Sequence, residues 1–265
     1  MKILITGAHG FVGNRLMQDL DDTVAAPSMR SMSEEQIRNM IEKSRADVII
    51  HTAAISDVGT CEKDPGASYE ANVRLPLFLA KAAKEQKLIC FSSDQVYRGC
   101  AGEGPYKEED ASPCNVYGRH KLEMEQRVLD VKPDAVMLRA EWMYDYTAER
   151  SNYLRMLLNE KQVLTFGKQY RGITYLREVA ENMPKIFMLP GGVYNFGSET
   201  KQTMYDITCE MLHFLKSDRK PEEVPPAHNL WMDCTKAKER GILFSDAKEG
   251  LKRCLKDYHL AKDRE

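Results

Sequence analysis

Near its start the chain reads Lys2-Ile3-Leu4-Ile5-Thr6-Gly7-Ala8-His9-Gly10-Phe11-Val12-Gly13, a short apolar burst that runs straight into glycines spaced three apart. The burst predicts a buried strand, and the residues after it predict a helix over 11–20. With 16 glycines in 265 residues, chance would give this Gly-x-x-Gly-x-x-Gly spacing only about 0.06 times per chain, so the match carries information. A turn without side chains lets a pyrophosphate approach the backbone, and the helix that follows offers free N–H groups and a partial positive charge. Gly7, Gly10, Phe11, Val12 and Gly13 are the candidate contacts to such a group, with His9 either touching phosphate or only filling the turn. A tight strand-to-helix turn that binds nothing is the plainer alternative.

Working outward, short apolar runs alternate with helical patterns, as parallel βαβ units require. Residues 23–26 predict a weak second strand closed by Pro27. Ser33 with Gln36 predicts a capping box opening a helix to about 43. Further strands are expected at 47–51, 88–92 and 135–139, with helices at 67–86 and 115–129. Pro76 should kink or split the first of these helices. Continuous apolar strands of this kind belong to a sheet covered on both faces. The fold class is therefore α/β, with a doubly wound parallel sheet.

After about Trp142 the rhythm loosens. Helices are expected at 152–159 and 204–215, an extended connector at 220–226, and two short amphipathic helices between 235 and 255. A late strand between glycine turns at 191–197 is expected to rejoin the sheet. The division that follows is a dinucleotide-binding domain over 1–145 and a smaller, mainly substrate-binding lobe over 146–265.

Composition narrows the classes. The chain is 43% hydrophobic and 29% charged with a net charge of −2, which excludes a disordered chain and argues against a nucleic-acid binder. No apolar run approaches the roughly 18 residues of a membrane helix, and the N-terminal burst is too short for a signal peptide. Seven cysteines without a Cys-x-x-Cys pair suggest a reducing, cytoplasmic setting. The histidines show no metal-ligand spacing, so no metal site is expected. His51, ending a strand, is expected to be a satisfied core residue.

Tyr-x-x-x-Lys is a weak signal and occurs twice, at Tyr117–Lys121 and at Tyr258–Lys262. Context separates the two, because only Tyr117 opens a helix downstream of a strand ending in Ser92-Ser93-Asp94. On a helix, i and i+4 share a face, so an ammonium at Lys121 would favour the phenolate of Tyr117. Tyr117 could then act as a general acid toward a carbonyl oxygen, with Ser93 hydrogen-bonding the same oxygen. An incidental surface pair is the competing interpretation. For the cofactor, no acid follows the second strand until Glu34, whereas Arg30 could pair with a 2′-phosphate. NADP(H) is therefore preferred over NAD(H), which stays allowed.

These motifs together resemble the extended short-chain dehydrogenase/reductase family. Phe91-Ser92-Ser93-Asp94-Gln95-Val96-Tyr97-Arg98-Gly99 is similar to the Phe-Ser-Thr-Asp-Tyr-Val-Phe-Asp-Gly segment of dTDP-4-dehydrorhamnose reductases. His51-Thr52-Ala53-Ala54 with Cys61-Glu62, and Leu138-Arg139-Ala140-Glu141-Trp142-Met143-Tyr144, have counterparts there in the same order. The resemblance is strong to about residue 145 and weaker beyond. It implies a Rossmann-type sheet, a catalytic set of Ser93, Asp94, Tyr117 and Lys121, and cofactor contacts at Ala53, Ala54, Ile55 and Ser92 besides Tyr117 and Lys121. It also implies a sugar site at Gln95, Val96, Trp142 and Arg171. Three departures fall near that site: Glu141 replaces a small hydroxyl residue, Gln95 a tyrosine, and Arg171 stands where proline is usual ahead of Thr-Tyr.

The leading expectation is an NADP-dependent reductase of a 4-keto nucleotide sugar, working without nucleic acid or membrane, with a homodimer left open. The alternatives keep the fold. One is a sugar-nucleotide epimerase or dehydratase. The other is a non-catalytic regulatory subunit resembling the β subunit of methionine adenosyltransferase.

Overall fold

The computed structural model describes residues 1–147 and 152–260. In chain order the elements are β1 (Ile3–Thr6), α1 (Phe11–Asp19), β2 (Thr23–Ala25), α2 (Glu34–Ser44), β3 (Val48–His51), α3 (Val58–Lys63), α4 (Pro65–Tyr69), α5 (Leu75–Ala82), β4 (Lys87–Ser93), α6 (Val116–Val131), β5 (Val136–Ala140) and β6 (Trp142–Tyr144). There follow α7 (Tyr153–Leu158), β7 (Thr165–Phe166), β8 (Ile173–Tyr175), α8 (Leu176–Ile186), β9 (Gly192–Phe196), α9 (Met204–Phe214), β10 (Glu222–Glu223), α10 (Thr235–Lys238) and α11 (Ala247–Asp257).

Six strands form one sheet in the order β2-β1-β3-β4-β5-β9, every pair parallel. This is a doubly wound, Rossmann-like sheet. Alternate strand residues serve two cores. Ile3, Ile5, Ile50, Phe91 and Leu138 face Leu16 of α1 and Val179 and Met183 of α8. Leu4, Ile49, Leu88 and Met137 face Ile37 of α2, Leu79 of α5 and Met124 of α6. A third core joins Tyr144, Tyr153, Tyr175, Ile207, Met211 and Leu251 beside the carboxyl edge of the sheet. Because β2 and β3 flank β1, the order in which strands are added reverses at β1, and a crevice opens beyond the carboxyl ends of β1 and β3.

Most expected elements appear within a residue or two, including the Ser33 capping box and the rejoining strand β9. The stretch expected as a helix that Pro76 kinks or splits consists of α4 and α5 joined through a π-turn at Glu70–Arg74. Pro76 follows directly, and the wide turn, closed by the Leu75 N–H on the Glu70 carbonyl, accommodates its missing N–H. The expected connector instead contributes β10, which pairs with β7. Helix α8, which sequence reading did not propose, packs on the sheet beside α1. Lys262, of the second Tyr-x-x-x-Lys pair, lies outside the described residues.

Candidate functional site

The glycine turn forms one wall of the crevice. Gly7 has φ +72°, and a Cβ there would lie 2.7 Å from the Ala53 nitrogen, so both conformation and space require glycine. A Cβ on Gly13 would strike the Gly7 carbonyl, with the Gly7 carbonyl carbon at 2.7 Å, so helix α1 can leave the strand this tightly only without a side chain. The Gly10 N–H donates to the Gly7 carbonyl at 2.8 Å. No side chain caps α1 and no acid lies in its first turn. That helix end is thus suited to an anion.

The opposite wall grows from β4 and α6. Asn115 caps α6 by accepting from the Gly118 N–H at 2.7 Å, and Glu62 accepts from the Val116 N–H at 2.7 Å. Two side chains thereby fix the first turn, and with it Tyr117, which packs with Cys61, Val116, Ile55 and Val58. One turn on, buried Lys121 donates to the Phe91 carbonyl at 2.8 Å and lies 5.8 Å from the Tyr117 ring centre. Burial lowers the Lys121 ammonium to about 8, against the pull of Cys90, Glu125 and Cys61.

At the end of β4, Ser92 donates to Glu125 at 2.5 Å, and Glu125 forms a buried ion pair with Arg139 at 2.7 Å. Arg139 also donates to the Tyr97 hydroxyl, which donates on to Asn195. Ser93 donates to Asp94 Oδ1 at 3.1 Å and accepts from the Gln95 N–H. The other Asp94 oxygen takes Nε and Nη2 of Arg171, at 3.0 and 2.9 Å. The Arg171 guanidinium lies 5.2 Å from the Trp142 ring centre. Between them sits Glu141, fully buried, with Thr174 donating to it at 3.0 Å. Desolvation, more than the nearby Asp94, raises its carboxyl well above the usual range.

These walls enclose a cleft of about 630 Å³. It brings together Gly7, Gly10, Phe11, Val12, Ala53, Ala54, Ser92, Ser93, Asp94, Gln95, Tyr117, Lys121, Trp142 and Arg171, all singled out by sequence. Gly13 shapes the turn from beneath, without lining the cleft. His9 and Arg30 are exposed and do not line it. Ile55 is packed against Tyr117, with its backbone bonded to Asn72. Val96 does not line the cleft: it is fully buried with Tyr97, Tyr106 and Leu230, because the turn after β4 rotates it into that cluster. His51 is not fully satisfied either. Its Nδ1 meets Thr6 Oγ1 at 2.7 Å, but its buried Nε2 lacks a hydrogen-bond partner among the described residues.

Sequence reading did not single out Thr52, Asp57, Met143 or Asn152, which also line the cleft. Thr52 carried a faint signal through its place ahead of Ala53-Ala54. Asn152 reaches the cleft only by a fold-back that spacing does not reveal.

A doubly wound α/β fold with a glycine turn facing a Ser–Tyr–Lys set defines the class of nucleotide-dependent short-chain dehydrogenase/reductases. Within that class, the family described as the RmlD substrate binding domain matches residues 1–260, and the chain belongs to it. It is 28% identical over 243 residues to a dTDP-4-dehydrorhamnose reductase of Aggregatibacter actinomycetemcomitans, covering 84% of this chain and 82% of that one. It is 27% identical over 278 residues to methionine adenosyltransferase 2 subunit beta of Mus musculus, covering 91% and 83%. The structure of dTDP-4-dehydrorhamnose reductase from Bacillus anthracis in complex with NADP superposes with a TM-score of 0.86 at 22% identity, over 97% of this chain and 99% of that one.

Proposed function

We propose that the chain is an NADP-dependent reductase of a 4-keto nucleotide sugar. The observation that carries this reading is that Ser93, Tyr117 and Lys121 share one cleft with the bare N-terminal end of α1. The relative from Aggregatibacter, named a dTDP-4-dehydrorhamnose reductase, and the NADP complex of the Bacillus enzyme support it.

Reduction of a ketone needs a hydride at carbon and a proton at oxygen. A bound nicotinamide supplies the hydride. Tyr117 gives its phenolic proton to the ketone oxygen, and the Lys121 ammonium stabilises the phenolate left behind. Ser93 turns its hydroxyl from Asp94 to the same oxygen as negative charge develops there. Gly7, Gly10, Phe11 and Val12 would hold the cofactor's pyrophosphate against α1, with Ala53 and Ala54 beside it, and Arg30 would meet the 2′-phosphate from the exposed loop after β2. The lobe over 146–265 would supply most of the remaining sugar-nucleotide contacts.

The test follows nicotinamide absorbance with NADPH or NADH and a panel of 4-keto nucleotide sugars. Oxidation that requires a sugar nucleotide and is faster with NADPH is expected, and Arg30→Ala should narrow that preference. Tight cofactor binding with no turnover of any panel member would overturn the reductase reading.

A further inference from the structure

The corner formed by Asp94, Glu141, Trp142 and Arg171 holds more polar chemistry than carbonyl reduction uses. Asp94 is almost fully buried and takes one edge of the Arg171 guanidinium, through Nε and Nη2. Trp142 lies against that guanidinium, so the group is held in position from two sides. Its Nη1 makes no hydrogen bond among the described residues, although Arg171 lines the cleft. Beside it, Glu141 occupies space cleared by two glycines: a Cβ at Gly172 or at Gly197 would fall on its carboxyl group. Thr174 holds one oxygen of that carboxyl at 3.0 Å. Burial raises that carboxyl well above its usual range.

We propose that this corner binds an oxyanion carried by the sugar ring, so that the substrate is the nucleotide derivative of a sugar acid. The inference rests on the nucleotide-sugar reading above and sharpens it. A carboxylate would accept from the open edge of Arg171, in the planar geometry guanidinium favours. Asp94 does not repel it strongly, because the other edge of Arg171 already offsets that charge. A methyl group in the same place would leave the open edge of Arg171 dry and unpaired, which a binding site penalises heavily. The only other oxyanion in such a substrate is its diphosphate, and binding measurements separate the two.

Calorimetry on the protein with oxidised cofactor would compare UDP-glucuronate, UDP-glucose and UDP, together with the thymidine forms. The carboxylate ligand should bind at least about 10-fold tighter than its hydroxymethyl counterpart. Arg171→Met should abolish that ratio and leave UDP affinity unchanged. Arg171→Lys, which keeps a cation beside Asp94, should retain part of the preference and guards against a folding defect in the methionine variant. Equal affinity for the two sugars in the unmodified protein would overturn the inference and leave the reductase reading standing. So would an Arg171→Met variant that weakens UDP as much as UDP-glucuronate, because Arg171 would then hold the diphosphate. Failure of every nucleotide to bind would overturn both readings.

Discussion

On one side of the cleft, residues 7–13 and 53–54 present mostly backbone: a positive-φ glycine, a helix end without a cap, and carbonyl-to-amide contacts. On the other side, Asp94, Glu141, Trp142 and Arg171 present side chains drawn from three separate places in the chain, held by an ion pair that spans 77 residues. At Gly7 and Gly13 the first wall has no room for a Cβ. The second can be rebuilt by substitution without moving the backbone, which is where a family would vary its substrate while keeping its cofactor.

If that contrast is right, the largest effect should come from the backbone wall. Gly13→Ala pushes a methyl into the Gly7 carbonyl, so it should cost on the order of 3 kcal/mol of stability and weaken cofactor binding about 100-fold or more. Thermal unfolding and cofactor titration would check this, and an alanine accepted without loss would break the comparison.

Arg171→Met should do less harm. It leaves Asp94 without its cation, but the arginine is partly exposed, so about 1–2 kcal/mol is expected rather than the 3–5 of a fully buried pair. Cofactor affinity should stay within about two-fold of the unmodified protein, since no cofactor contact is proposed there.

The proton chemistry offers a third, milder test through pH. Lys121 is lowered to about 8, so its ammonium predominates below that pH and is lost above it. The reduction rate should therefore fall as pH rises through about 8, and Lys121→Arg should move that fall upward. A fourth test concerns stability in acid. Complete burial lowers the His51 imidazole to about 3, helped by the Lys121 charge, so the unfolded chain takes up a proton near 6.5 that the folded chain refuses. Stability should fall by about 1.4 kcal/mol per pH unit as pH drops from 6.5 toward 3, and His51→Asn should flatten that slope.

The same contrast explains what could be read without coordinates. The glycine turn, the β-branched strands and the i, i+4 relation of Tyr117 to Lys121 are local patterns, and they located both the sheet and the Tyr117–Lys121 face of the cleft. The Asp94–Arg171 pair and the Glu141 pocket are contacts between distant segments, and no spacing announces them. Val96 shows the opposite failure. Neighbouring a site in sequence, it is turned away by a short 3-10 turn into a separate cluster. Helix α8 was legible in principle, since Leu176, Val179, Ala180, Met183 and Ile186 follow helical spacing, but Pro184 in its last turns masks the pattern.

The central claim is that Tyr117 delivers the proton in a nicotinamide-dependent reduction. Turnover and cofactor affinity of Tyr117→Phe, measured side by side with the unmodified protein, test it most directly. The account predicts turnover reduced by about 10²–10⁴-fold with cofactor binding nearly unchanged. Turnover that survives the loss of this hydroxyl would contradict it.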